Sequence, residues 1–432
     1  MEDQEILGRS EYVQLMLWIA LISFPIGGLT LIYLFLYHGG STRVWETIPD
    51  TLNLSRPVYT ILVATLGGLL VGLGLRYLGV RHGESLQKEM EAGRVPYQGI
   101  TGLVVTALVG LISGASLGPE GPLGHMGASI GSWFSERLKL SLEKSRIMTL
   151  AGISAGFGGF LGQPLTAAFM SMEFTGSLGY PIYANLIAAT ISGLIGALVV
   201  MNVSGLIPSL ALPFPEYTGF EWVHLLYAVI FGLVGLVMAF LFKFIFQSVT
   251  RLVQPLNRTP VLKPMIGGLI FGVVGAVLPL TLHSGEEELG IILTEGAQIG
   301  AAMLLLLAVA KLFTLSVCLG CGFPGGFVFP LFFAAGSLGY AINLIFPFIP
   351  LSVAIAGTMA GIGGAVMRMP FTVMLVMLSL SNPDLLPIAI LASVTGFLSA
   401  TLLEAGNARK AMVQSSEKRR ELYGSKKSEA GG

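Results

Sequence analysis

Charged side chains are scarce in this sequence, which carries 24 basic and 24 acidic residues in 432. Only 11% of the chain is charged, whereas ordinary soluble domains reach about 25%. Together with a hydrophobic content of 53%, this excludes a soluble enzyme and a disordered chain. A net charge of zero excludes a nucleic-acid binder, which needs a basic surplus. A multi-pass membrane protein remains, and its 57 glycines favour closely packed helices.

Cysteine and histidine are scarce, and their spacing does not match a metal site. The two cysteines, Cys318 and Cys321, supply half of the four ligands that structural zinc needs, so we expect small buried residues there. The five histidines show neither H-x-x-x-H nor H-E-x-x-H spacing, and no nucleotide-binding glycine loop follows a strand. We therefore expect no metal, no cofactor and no drive by ATP.

Long uncharged runs recur along the chain, and several exceed the roughly 20 residues that one spanning helix needs. Glycine and proline interrupt the longest runs, such as 182–215 and 312–367, while others are short. We predict an all-α protein with more than ten helical segments of uneven length. Broken helices in a bilayer are tolerated only inside protein or beside a wet cavity, so the pattern favours a transport protein.

A repeat divides the chain into two halves. Residues 151–164 read AGISAGFGGFLGQP and residues 356–370 read AGTMAGIGGAVMRMP; the alternative is chance similarity between two glycine-rich helices. In transporters such halves are often inverted and enclose the substrate site. We predict an N-terminal cytoplasmic segment with a first membrane helix, two membrane repeats and a basic tail that is cytoplasmic by the positive-inside tendency. These parts span 1–59, 60–215, 216–405 and 406–432.

The most informative motif is S-G-A-S-L-G-P-E-G-P at 113–122, because Glu120 is the only charged residue between 101 and 135. A carboxylate at that depth is costly and predicts a functional site. The surrounding glycines and prolines predict a turn that opens a new helix, and a helix N-terminus attracts anions. We predict that Glu120 occupies an anion site as a protonatable gate; the alternative is a carboxylate that caps a helix at the membrane surface.

A counterpart in the second half reads G-F-P-G-G-F-V-F-P at 322–330. Its glycines allow irregular backbone, and no side-chain donor follows them. If this loop binds a ligand, it does so through the backbone N–H groups of Gly326, Phe327 and Val328. Apolar side chains around backbone amides suit a weakly hydrated anion.

These motifs resemble those of the CLC family of chloride channels and chloride/proton antiporters. The resembling segments are GPEGP at 118–122, GGFVFP at 325–330, GQPLTAAFMSMEF at 162–174 and RMPFTVMLVMLSL at 368–380, and the similarity runs from about residue 60 to 405. The resemblance implies two inverted repeats, a gating role for Glu120 and a homodimer with one pathway per subunit. It also implies backbone anion ligands at Gly118, Gly121, Gly326, Phe327 and Val328.

Two hydroxyl ligands of that family have no match here. The region where a serine loop would stand, GVRHGES at 79–85, lacks the motif. The family's tyrosine would fall near Ala411, yet the only tyrosine beyond Tyr340 is Tyr423, in the charged tail. We therefore expect an anion site held mainly by backbone N–H groups.

A third departure concerns protons. Glu173 matches the first of two consecutive glutamates in the family's antiporters, and Phe174 stands at the second. The substitution favours passive conduction, with a chloride/proton antiporter as the alternative. Glu173 is a candidate proton relay or, equally, a structural carboxylate hydrogen-bonded to a loop.

The sequence thus predicts a non-enzymatic transporter of a small inorganic anion, first of all chloride, in the cell membrane of a prokaryote. A secondary transporter for an organic solute would need polar side chains at the midplane, and few are present. An intramembrane hydrolase would need a nucleophile and base that Glu120 lacks. We expect Lys311 either to lie beside the anion path or to extend to a lipid headgroup. We expect residues His283–Glu288 to form a solvated loop.

Overall fold

The computed structural model describes residues 9–52, 55–80, 95–176, 182–204, 212–217 and 219–405. Within these ranges every named element is a helix. Seven helices are long and apolar enough to cross a membrane, and four further apolar helices are shorter. The prediction of an all-α membrane protein with helices of uneven length is confirmed.

The first half of the described chain contains eight α-helices. They are α1 Arg9–Thr42, α2 Ile48–Leu52, α3 Arg56–Tyr77, α4 Ile100–Ile112, α5 Glu120–Arg137, α6 Leu142–Leu161, α7 Pro164–Phe174 and α8 Ile182–Ser204. A π-helical turn, Arg43–Thr47, joins α1 to α2.

The second half of the described chain contains eight further α-helices. They are α9 Val223–Val253, α10 Leu262–Val277, α11 Glu286–Ile299, α12 Ala301–Gly320, α13 Val328–Ile345, α14 Leu351–Ile362, α15 Pro370–Leu380 and α16, residues 386–405. A π-helical turn, Gly363–Met367, extends α14.

The sequence repeat corresponds to two similar pairs of helices, α6–α7 and α14–α15. In each pair a residue in the left-handed region ends the first part, Gly162 with φ 66° and Arg368 with φ 58°. A proline then opens an 11-residue helix, Pro164 in α7 and Pro370 in α15. Proline suits that position because its fixed φ matches the helix and its missing N–H would have no intrahelical partner.

The two short helices α7 and α15 pack against each other. The rings of Phe169 and Phe371 lie 5.8 Å apart between them. The halves of the molecule therefore meet at equivalent elements.

Glycine sets the close spacing of the helices. A Cβ added at Gly127 of α5 would overlap the carbonyl oxygen of Gly152 on α6, and one added at Gly152 would overlap that of Gly127. Only glycine at both positions lets the two backbones touch, as small residues do in membrane helix pairs generally. The high glycine content is thus used in packing.

The expectation that Lys311 extends to a lipid headgroup is wrong. Its side chain is fully buried, and Nζ donates to the backbone carbonyls of Thr281, Leu282 and His283 at 3.2, 2.7 and 2.9 Å. A buried ammonium needs such acceptors, so it is held in the fold and cannot reach a headgroup. The two cysteines are free and buried, as predicted.

The segment His283–Glu288 is not the solvated loop that we expected. Ser284 is buried, and Glu286, Glu287 and Glu288 form the first turn of α11. Of these three glutamates only Glu287 is exposed. The acidic turn lies against the protein and lines a cavity.

Candidate anion site

The two loops singled out in the sequence meet. Gly118 N donates to Gly326 O at 3.0 Å, and Gly326 N donates to Gly118 O at 2.7 Å. This pair forms an isolated antiparallel bridge, the pairing that a local two-fold relation between equivalent loops produces. The bridge brings the start of α5 and the start of α13 together.

Glu120 is the first residue of α5, and its side chain reaches across to the other half. Its Oε1 accepts a hydrogen bond of 2.8 Å from the backbone N–H of Val328, the first residue of α13. The side chain is only 3% exposed. The carboxylate therefore sits at a helix N-terminus, where the free N–H groups and the helix dipole favour negative charge.

The two bridging glycines make room for this carboxylate. A Cβ at Gly118 or at Gly326 would overlap the Glu120 carboxylate. A Cβ at Gly121 would come within 2.8 Å of Gly326 N. The local sequence needs glycine at these places because a side chain and two backbone segments share one small volume.

The predicted ligand set needs one correction. The N–H groups of Gly118 and Gly326 are bonded to each other's carbonyl oxygens, so neither amide is directed at an anion in this structure. Gly121 lies in the first turn of α5, and Phe327 directly precedes α13. Their N–H groups therefore lie outside the intrahelical ladders, as does that of Val328.

Three buried polar atoms near this site have no hydrogen-bond partner among the described residues: Glu120 Oε2, Ser116 Oγ and the Tyr33 hydroxyl. Ser116 belongs to the Glu120 loop, and Tyr33 on α1 interacts electrostatically with Glu120. A buried polar atom without a partner costs about 1–3 kcal/mol, so such a cluster is typical of a site for a ligand or water. The sequence did not single out either hydroxyl, because no local pattern tells which side chains lack a partner.

Glu173 caps a helix of the opposite half. Its Oε1 accepts from Phe371 N at 3.0 Å, and its Oε2 accepts from Thr372 N and Thr372 Oγ1, each at 2.6 Å. These N–H groups open α15, where a carboxylate satisfies donors that the helix leaves free. Of the two roles considered for Glu173, this geometry matches the structural one.

Phe174, which stands where a second glutamate would lie, packs edge-on against Phe157 at 6.5 Å between ring centres. His125 Nδ1 lies 2.9 Å from Gly121 O. The region GVRHGES beyond Val80, the neighbourhood of Ala411 and Tyr423 all lie outside the described residues. In the part of the chain that the structure describes, no three His, Cys, Asp or Glu side chains are placed to hold a metal ion together.

The chain is similar in sequence to a known protein family and to individual proteins. The sequence profile of the family described as "Voltage gated chloride channel" matches residues 67–401. The "Putative ion-transport protein YfeO" of Shigella sonnei is 29% identical over 371 residues, covering 84% of this chain and 86% of that protein. YfeO of Escherichia fergusonii is 29% identical over 328 residues, covering 74% and 77%.

Solved structures share the fold. A slow cyanobacterial Cl⁻/H⁺ antiporter superposes with a TM-score of 0.77 at 18% identity, over 90% of this chain and 94% of that one. A CLC-type fluoride/proton antiporter gives 0.75 at 20% identity, over 90% and 96%. At this identity the likeness shows the architecture alone.

Proposed function

Because this chain belongs to the voltage gated chloride channel (CLC) family of integral membrane proteins, we propose that it carries a small inorganic anion past the N-termini of α5 and α13. Anion transport is the activity of that family. The identity of the anion and the role of Glu120 as a gate are our proposal. We place the protein in the cell membrane of a prokaryote, with its basic tail in the cytoplasm and, as the family implies, two copies per assembly.

One observation carries the proposal: the Glu120 carboxylate is bound to the Val328 N–H across the two halves. A carboxylate there occupies the place of an anion, and protonation would remove the charge that holds it. An incoming anion would then bind the N–H groups of Gly121, Phe327 and Val328. Glu120 acts as a competing, protonatable gate, and flux rises as the pH falls.

Chloride is the first candidate for the transported anion. The start of α13 is lined by aromatic rings, with Phe329 packed edge-on against Phe160 at 5.5 Å. Apolar walls around backbone donors favour an ion that loses its water easily, which supports chloride over the strongly hydrated fluoride. Fluoride is the rival, because one protein of the same fold is a CLC-type fluoride/proton antiporter.

The mode of transport has two candidates. Phe174 in the second glutamate position and the helix-capping role of Glu173 support passive conduction. The comparisons do not support this preference, since two proteins of the same fold are named as proton-coupled antiporters. Proton-coupled exchange is therefore the second candidate, and Glu120 could carry its proton.

Reconstitution into liposomes tests the proposal. The reversal potential for chloride is measured with and without a pH gradient, and the same measurement with fluoride is the control for selectivity. A potential set by chloride alone identifies a channel, whereas a shift with the pH gradient identifies coupled exchange. Absence of chloride and fluoride flux under both conditions would overturn the assignment.

A further inference from the structure

An acidic cavity lies beside the candidate site. It has a volume of about 200 Å³ and lies between α1, the turn Arg43–Thr47 and the first turn of α11. Its acidic and imidazole groups are Glu46, Glu286, Glu287, Glu288, His38 and His283. Arg and Lys are absent from the described residues that line it. A cleft of this charge concentrates cations and repels anions, so it does not suit the transported ion.

The cavity is joined to the Glu120 loop. His283 N donates to Gly114 O at 3.1 Å, and Trp45 Nε1 donates to Ile112 O at 2.8 Å. Glu286 in the cavity interacts electrostatically with Glu120. The acidic lining therefore lies within electrostatic range of the gate carboxylate.

Two tyrosines on one face of α1 interact with groups of the cavity and with Glu120. Tyr37 lines the cavity, and its hydroxyl is hydrogen-bonded to Ser284. Tyr33 lies one helical turn away on the same face, is 3% exposed, and interacts electrostatically with both Tyr37 and Glu120. Its buried hydroxyl and Glu120 Oε2 both lack a hydrogen-bond partner among the described residues. A phenol can both donate and accept a hydrogen bond, so this hydroxyl is free to pass a proton.

We propose that this cavity is a proton-loading site for Glu120, with Glu286 as its collecting carboxylate and the Tyr37 and Tyr33 hydroxyls as the route. A proton from solution binds Glu286 and passes by way of Ser284 to Tyr37. Each hydroxyl accepts one proton and donates its own onward, so neither tyrosine changes its charge; water carries the proton between Tyr37, the Tyr33 hydroxyl and Glu120 Oε2, because the last two have no partner among the described residues. Glu120 becomes neutral and releases the Val328 N–H to the anion. The inference deepens the proposed function and depends on it.

The charges around Glu286 suit this role. Burial raises the pKa of Glu286, and repulsion from the carboxylates of Glu287, Glu120 and Glu288 raises it further, to about 8. The titratable groups that face it are Tyr37, Glu120 and the five other acidic and imidazole groups of the cavity, while Lys311 of α12 interacts with Glu288. A carboxyl with that pKa exchanges its proton in the neutral range, where a surface glutamate would be a fixed charge.

Anion flux into liposomes, measured between pH 5 and pH 9, tests the route. The variants Tyr33→Phe and Glu286→Gln each remove one proton-carrying group. We expect both to slow proton-dependent flux at least tenfold at neutral pH and to leave anion affinity, measured by calorimetry, unchanged. Glu295→Gln, on the exposed face at the other end of α11, is the matched control and should stay within twofold of the unmodified protein.

Variants made in the Glu120→Gln background distinguish a failure of the proton route from a failure of the gate. In that background neither variant should slow flux further, because no proton has to reach the gate. Wild-type flux in Tyr33→Phe and Glu286→Gln, together with loss of pH dependence in Glu120→Gln, would overturn the route and leave the gate intact. Persistent pH dependence in Glu120→Gln would overturn Glu120 as the gate, and the route with it. Weaker anion binding by Tyr33→Phe in the Glu120→Gln background would make Tyr33 an anion ligand and refute the relay. If Tyr33→Phe fails to fold, Glu286→Gln carries the test alone.

Discussion

Removing the Glu120 carboxylate should strengthen anion binding. In this structure Oε1 accepts one hydrogen bond of 2.8 Å from Val328 N, and an anion must displace it. A hydrogen bond to a charged group is worth about 1.5–3 kcal/mol. Because 1.4 kcal/mol corresponds to a factor of ten, Glu120→Ala should raise chloride affinity by about 10- to 140-fold at neutral pH.

Calorimetric titration of the purified protein with chloride measures this affinity, and liposome flux gives its pH dependence. Glu120→Gln keeps the shape and removes the charge, so it should abolish the pH dependence while flux is retained or raised. Glu136→Gln, an exposed glutamate at the other end of α5, is the control. Unchanged affinity in Glu120→Ala, with unchanged pH dependence in Glu120→Gln, would refute a competing carboxylate.

Three further predictions concern the fold and are measured as thermal unfolding in detergent. Glu173→Ala leaves the opening N–H groups of α15 without acceptors and should destabilise the protein by about 1–3 kcal/mol, without altering the pH dependence of flux; an altered pH dependence would favour a proton relay. Lys311→Met leaves three buried carbonyls without their donor and should cost about 3 kcal/mol or more; wild-type stability would contradict this. Gly127→Ala forces a Cβ against backbone on α6 and should cost about 1–3 kcal/mol, whereas Gly28→Ala, which meets no atom within 4 Å, should be neutral or slightly stabilising.

The helices and their ends could be predicted from the sequence. The apolar runs, and the proline and glycine that interrupt them, encode helices and their ends because each signal acts within a few residues along the chain. Pro164 and Pro370 each open a short helix as the repeat implied. The isolated charge of Glu120 marked a candidate functional residue, because an intramembrane carboxylate is costly.

What was misjudged in the sequence depended on distant partners. Lys311 is indistinguishable from a lipid-facing lysine until α12 is placed beside the carbonyls of residues 281–283. The family resemblance implied Gly118 and Gly326 as anion ligands, but in this structure the carbonyl oxygen of each accepts the N–H of the other. Sequence patterns show which groups a loop offers and leave open which of them are already used.

The sequence by itself determined that the protein is an all-α membrane protein of two repeated halves with a carboxylate at a helix start. Only the tertiary structure decided that Glu120 meets the Val328 N–H, that Glu173 caps α15, and that Tyr33 interacts with both Tyr37 and Glu120. Helix formation follows from propensities and hydrophobic pattern over neighbouring residues. Contacts between residues about 200 positions apart depend on how whole helices pack, and no local pattern carries that information.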